Sequence, residues 1–373
     1  MRSNRAVRVM ASIAGLSALT LVAACGGSPS QGAQDSGPTK AEKVFAKLSK
    51  LSGDEREKEL VKEAEAEGGQ LDLYTSMTSD VADAVTEAFS DKYDIDVNLY
   101  RASSETVLQR ILQESGANFN GNDVVETDAL EMYDLNKEKL LADYEGEGRD
   151  KVAEDGRFDG WTADRYNLFT PSWNTKMVPK GQQPTSWEDL ADPKWDGKLA
   201  MELSDYDWYL TLREYWLKQG KSEDEVDKLF EDMADGAKIV KGHTVMGELL
   251  SAGQFAVASS NYSYLVQQVA DKGAPVAYQP LVEPVIVRPN GFGLMKTAKH
   301  PATAMLFADW LLGDGQKALV EEGLTPTVPP PGTKNVLESV ETVDVDVETL
   351  GEEEKKWSDR YDKLVENGTV VDQ

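Results

Sequence analysis

The chain has 373 residues, 40% of them hydrophobic with eight tryptophans, which is enough apolar mass for two packed domains and argues against wholesale disorder. Its formal charge is −27, and the basic residues are gathered into no long run. Such a chain repels polyanions, which excludes nucleic acid and anionic lipid headgroups as partners.

In chain order, "MRSNRAVRVMASIAGLSALTLVAAC" carries Arg2, Arg5 and Arg8, an apolar stretch, then small residues before Cys25. Residues 1–24 read as an export signal whose apolar part is too short for a permanent span. "VAAC" resembles the bacterial lipobox, so Cys25, the only cysteine, is the expected lipid acceptor. Membrane attachment would then run through lipidated Cys25, at the outer face of the cell membrane. Residues 25–40 are small and polar, a flexible tether. Residues 41–67 read as helical, broken at Gly53 and ended by Gly68-Gly69.

From there strands and helices alternate: "QLDLYTS", "DVADAVTEAFSDKY" capped by Ser79 or Asp80, "DIDVNLY", "SSETVLQRILQES" capped by Ser103 or Ser104, "NDVVET", and "DALEMYDLNKEKLL". This alternation predicts parallel strands with crossover helices, and ligands then sit beyond the carboxyl ends of the strands. The loops there hold Ser76 and Thr78, Arg101 to Ser104, and Glu126 to Asp128. A long extended segment, "NLFTPSWNTKMVP", leads to a second α/β region with helices at "TSWEDLAD", "YDWYLTLREYWLKQG", "SEDEVDKLFEDMADG" and "TVMGELLSAG", and strands at "KLAMEL" and "QFAVASS". "PVIVRPNGFGLM" runs back to one helix over "PATAMLFADWLLGDGQKALVEE", and "TPTVPPPG" connects to a last helix through "EEEKKWSDRYDKLV".

The lipobox, the tether, "EGGQLDLYTSMT", "YRASSETVLQRILQE", "DVVETDALEMYDL", "SWEDLADPKWDGKLAM" and "AKHPATAMLFADWLLGDGQKALVEEG" together resemble the extracellular solute-binding proteins of ABC importers, in the ferric-ion-binding-protein-like branch. The resemblance implies an α/β, two-lobed type 2 periplasmic-binding-protein fold, each lobe a mixed sheet flanked by helices and joined to the other by extended hinge strands. Lobe I is expected over residues 68–168 and 287–324 and lobe II over 169–286, with 325–373 a connector and a helix on lobe II. It also implies a small-molecule solute closed between the lobes, permease subunits as partners, no cofactor and no enzymatic activity.

The ferric members hold iron through two adjacent tyrosines, a histidine and a carboxylate. Here the matching stretch reads Asn261-Tyr262-Ser263-Tyr264, and "TSMTS" lacks a histidine. Iron, if bound, would fall to Tyr262, Tyr264 and Asp128. On a regular helix those two tyrosines would lie roughly 200° apart. Arg101 at a strand end and Arg288 on the returning strand could each take a carboxylate or phosphate bidentately, so an organic anion or oxygen-rich ligand is the leading expectation. Its expected contacts are Ser76, Thr78, Arg101, Ser103, Ser104, Thr127, Asp128, Asp205, Tyr206, Asn261, Tyr262, Tyr264 and Arg288. His243 and His300 read as helix-start residues, and Trp208 as core. A lipid-anchored hydrolase is the further alternative, although G-x-S-x-G, H-E-x-x-H and a P-loop are all missing.

Overall fold

The computed structural model describes residues 37–371. The export signal, Cys25 and most of the tether lie outside the described residues.

Two short helices come first, α1 (Lys40–Leu48) and α2 (Gly53–Ala66). The break falls on residues 49–52, and Gly53 opens the second helix with φ +53, a left-handed value that glycine adopts without strain. Phe45, Leu48, Leu60 and Ala64 are buried. Arg56, also buried, binds Asp309 through Nε at 2.5 Å and Nη2 at 2.9 Å, pinning this pair to a helix near the far end of the chain.

The predicted alternation follows as β1 (Gln70–Thr75), α3 (Ser79–Tyr93), β2 (Asp96–Arg101), α4 (Ser104–Gly116), β3 (Val124–Asp128) and α5 (Ala129–Lys137). β1 lies between β2 and β3, parallel to both. The cap of α3 is Thr78, one residue earlier than either Ser79 or Asp80, because Ser79 already has helical geometry.

The long strand β4 (Trp161–Asn174) crosses into the second region, which contains β5 (Leu199–Glu202), α6 (Tyr206–Lys218), α7 (Glu223–Ala234), β6 (Lys238–Val240), α8 (His243–Ser251), β7 (Val257–Tyr262) and α9 (Ser263–Asp271). The helix expected at "TSWEDLAD" is only a single 3-10 turn, Glu188–Ala191, since Pro193 stops its continuation. Strand β8 (Val285–Met295) returns antiparallel to β4. These two strands are shared. The far half of β8 pairs with β3 from Asn290↔Asp128 to Leu294↔Val124, while the far half of β4 pairs with β7 from Phe169↔Tyr262 to Trp173↔Val257. The β4–β7 register shifts around Pro171, which has no N–H to give the ladder. The sheet therefore runs β6-β5-β7-β4-β8-β3-β1-β2, with its two halves joined through β4 and β8.

The helix expected over 301–322 is two, α10 (Pro301–Leu311) and α11 (Gly315–Glu321), interrupted around Gly313. The last helix, α12 (Val347–Val365), lies against α5 on one side and against α6 and α7 on the other, so it touches both halves instead of the second alone. It is kinked at Glu353, whose φ of −110 and ψ of 16 leave the helical range.

Candidate functional site

The carboxyl ends of β1, β2 and β3 and the strand-to-helix turns of the second half face one cleft of about 700 Å³. Of the thirteen residues expected there, eleven line it: Ser76, Thr78, Arg101, Ser103, Ser104, Asp128, Asp205, Tyr206, Tyr262, Tyr264 and Arg288. Thr127 and Asn261 do not. Both are fully buried within strands, one position from a cleft-facing neighbour, and alternation along a strand sends them to the opposite face. Asn261 turns toward Gly247 on α8 instead, its Oδ1 accepting from the Tyr262 N–H.

Arg288 sits at the centre, with 6% of its surface exposed. Its Nη1 donates to Asp207 Oδ2 at 2.9 Å, and its Nη2 donates to Asp128 Oδ2 at 3.0 Å and to the Tyr262 hydroxyl. Asp128 comes from the end of β3 and Asp207 from the first turn of α6, so one guanidinium ties the two halves together. Asp128 also accepts from Ser104 Oγ at 2.9 Å and from Asn290 Nδ2. Burial pushes the Asp128 carboxyl up, but Arg288 and these donors override it and hold it below the ordinary value. For Asp207 burial wins over Arg288 and the carboxyl is raised. The neighbours make the difference: Asp128 has more side-chain donors to its charged form, whereas Asp205 beside Asp207 adds repulsion.

Deeper in the second half, Asp205, the N-cap residue of α6, contacts His243 Nε2 at 3.1 Å and accepts from Ser260 Oγ, so its side chain faces the cleft and makes no capping hydrogen bond to α6. Burial would depress the His243 imidazole, but Asp205 raises it. Glu202 accepts from the Gly242 N–H at 2.8 Å and from the Ser204 N–H, and burial, with Asp205 beside it, pushes its carboxyl up to about 7. On the first half, burial and then Asp128 raise Glu131 well above the ordinary range. Arg165 is neutralised in place by Glu126 and Asp164.

The two tyrosines do converge. β7 runs through Tyr262, which is the N-cap of α9 with extended backbone (φ −79, ψ 131), so only Tyr264 is on the helix. The helical-wheel separation does not apply across that junction. The rings lie 9° from parallel with centroids 6.2 Å apart. Tyr262 also stacks on His243 at 3.9 Å. Its phenol is raised well above its usual value by burial, against the opposing pull of Arg288. A ferric ion at Tyr262 and Asp128 would have to displace Arg288 from both.

Sequence reading missed Glu131, Arg165, Glu202, Asp207, His243 and Asn290, all of which line the cleft. One available signal was Arg288 itself, since a guanidinium inside an apolar strand needs carboxylates. His300 also has a partner, its Nδ1 lying 2.8 Å from Asp123 Oδ2. With Asp72 these two form a potential metal cluster away from the cleft. Yet both oxygens of Asp123 already accept backbone N–H groups, from Asp72, Lys299 and His300, so the trio joins β1 to the loop before α10.

Iron uptake protein A2 of Synechocystis sp. is 26% identical over 286 residues, covering 71% of this chain and 79% of that protein. Among solved structures, iron-bound HitA from Pseudomonas aeruginosa superposes with TM-score 0.67 at 20% identity, covering 78% of this chain and 99% of its own. AfuA from Actinobacillus pleuropneumoniae, with fructose-6-phosphate bound, gives 0.69 at 20% identity, covering 80% and 99%. The fold is therefore that of the type 2 periplasmic binding proteins, two lobes on shared strands. The sequence profile of the bacterial extracellular solute-binding proteins matches residues 122–350, and the chain belongs to that family, whose members bind solutes and are not enzymes.

Proposed function

We propose that this protein is the solute-binding component of an ABC importer, capturing a small polar solute in the cleft between its lobes and passing it to permease subunits. The observation that carries this is the bridge Asp128–Arg288–Asp207, which spans the cleft floor at 3.0 and 2.9 Å and joins the ends of both half-sheets. A ligand touching both halves favours the closed form by its differential affinity, which is what a hinged receptor requires. The lobes divide near residues 168 and 287 on the shared strands, and lipidated Cys25 holds the protein at the outer face of the membrane.

Ferric iron is the second reading, favoured by the parallel Tyr262 and Tyr264 rings and by the names of two relatives. A melting-temperature screen of the full-length chain against ferric salts, ferric citrate, organic anions, sugar phosphates and amines tests both. A dose-dependent rise with any of them supports capture. A visible charge-transfer band on ferric addition selects iron, and a flat response to the whole panel counts against capture itself.

A further inference from the structure

Resting on that reading of the cleft, we infer that the solute is an organic cation bearing protonated amine N–H groups, not an anion. The charge balance of the lining is the first reason: nine carboxyl groups face three guanidiniums, with no lysine. Two of the three guanidiniums are already neutralised within the protein. Arg288 is held by Asp128 and Asp207, and Arg165 by Glu126 and Asp164. Among the described residues of the cleft, Arg101 is the arginine with no carboxylate partner, its Nε donating to the Met77 carbonyl at 2.7 Å. An anion would meet one exposed arginine and a surplus of carboxylates.

The second reason is independent of charge. Among the described residues, Asn167 and Asn290, 2% and 1% exposed, line the cleft with Oδ1 atoms that accept no hydrogen bond; the unpartnered donors beside them, Arg165 Nε and Arg288 Nε, belong to guanidiniums whose charge is already met by carboxylates. Buried acceptors without donors are costly, and a ligand N–H supplies what they lack. Aromatic rings complete the set, because Tyr206 and Tyr264 border the cleft and ring faces attract cations.

The carboxyls also respond to one another as an unbalanced negative site does. Glu131, facing Asp128, Glu105 and Arg288, is raised, and so is Glu202, facing Asp205 and His243. An arriving cation favours their ionised forms and expels protons, so its affinity rises with pH through the neutral range, where an anion's would fall.

The test uses spermidine and agmatine as N–H cations, choline as a cation without N–H, and citrate and glucose 6-phosphate as anions, against the full-length chain by calorimetry and thermal melting. Spermidine or agmatine should bind, at least several-fold more tightly at pH 8 than at pH 6 and more weakly as salt is added. Glu131→Gln should weaken that binding about tenfold, and Asp205→Asn provides a second variant should the first fail to fold. Choline binding as tightly as the amines, or an anion binding more tightly, overturns the inference while leaving solute capture standing. No binding by spermidine and agmatine overturns it too, and if ferric ion and the anions are equally silent, the capture reading falls with it.

Discussion

Replacing Arg288 by methionine keeps most of the stem volume and removes the charge that Asp128 and Asp207 share. Both carboxylates stay in place, one with 21% and the other with 3% of its side chain exposed. Breaking a buried pair by deleting one partner costs about 3–5 kcal/mol, because a charge is left without compensation. Unfolding entropy of about 2.1 cal/mol/K per residue makes each kcal/mol worth roughly 1.4 °C in a chain of this length, so the melting temperature should fall by roughly 4–7 °C. The deficit should depend on pH with a definite sign. Arg288 is what pulls both carboxyls down against burial. Without it their folded-state values rise, so the variant is least impaired below the ordinary carboxylate range and loses stability as pH climbs. Urea midpoints at pH 5 and pH 8 measure this, and adding Asp207→Asn should recover at least about 1 kcal/mol at pH 8 if the two are coupled. A deficit under about 1 kcal/mol, or one equal at both pH values, would refute the reasoning.

Arg101→Ala should leave the melting temperature of the unliganded protein within about 1 °C, since its side chain is exposed, has no carboxylate partner among the described residues and gives one part-buried hydrogen bond, to Met77; a larger fall would make it structural. Gly351→Ala puts a methyl group into the Tyr133 ring where α12 crosses α5, so a loss of about 1–3 kcal/mol by urea unfolding is expected, and no loss would mean that α12 grips α5 only loosely. Glu202, whose ordinary value of 4.5 is pushed to about 7 by burial and Asp205, favours folding below its ordinary value and ceases to as pH rises through 7. Glu202→Gln should accordingly be most destabilised near pH 5, and its deficit should shrink by about 3 kcal/mol by pH 8; a deficit that grows with pH runs against the assignment.

Local signals carried far in this chain. The first three strands and their helices were readable because apolar period and cap residues agree there, and strand ends by themselves led to Ser76, Arg101, Ser104 and Asp128. What sequence could not supply is the face on which a residue lands at a junction. Thr127 and Asn261 adjoin cleft residues in sequence, but the strand's alternation places them behind the cleft wall. The spacing of Tyr262 and Tyr264 suggests one helix, whereas the strand extends through Tyr262 and turns both rings to the same side. Arg288 looked like an anion contact because a cation in a strand advertises its charge but hides its partners. Asp128 and Asp207 reach it from 160 and 81 residues away, beyond the range of any local pattern.

The pairing of β3 with β8 also governs how the chain must assemble. Asp128 and Asn290, partners across that ladder, are 162 residues apart in sequence. At synthesis rates of 5–20 residues per second, β3 waits on the order of ten to thirty seconds for the neighbour that covers its second edge. During that interval Val124 and Val125, which end fully buried, stand on an open strand edge able to pair with another chain. The same insertion that separates the two half-sheets thus leaves a strand edge open until later residues of the chain arrive.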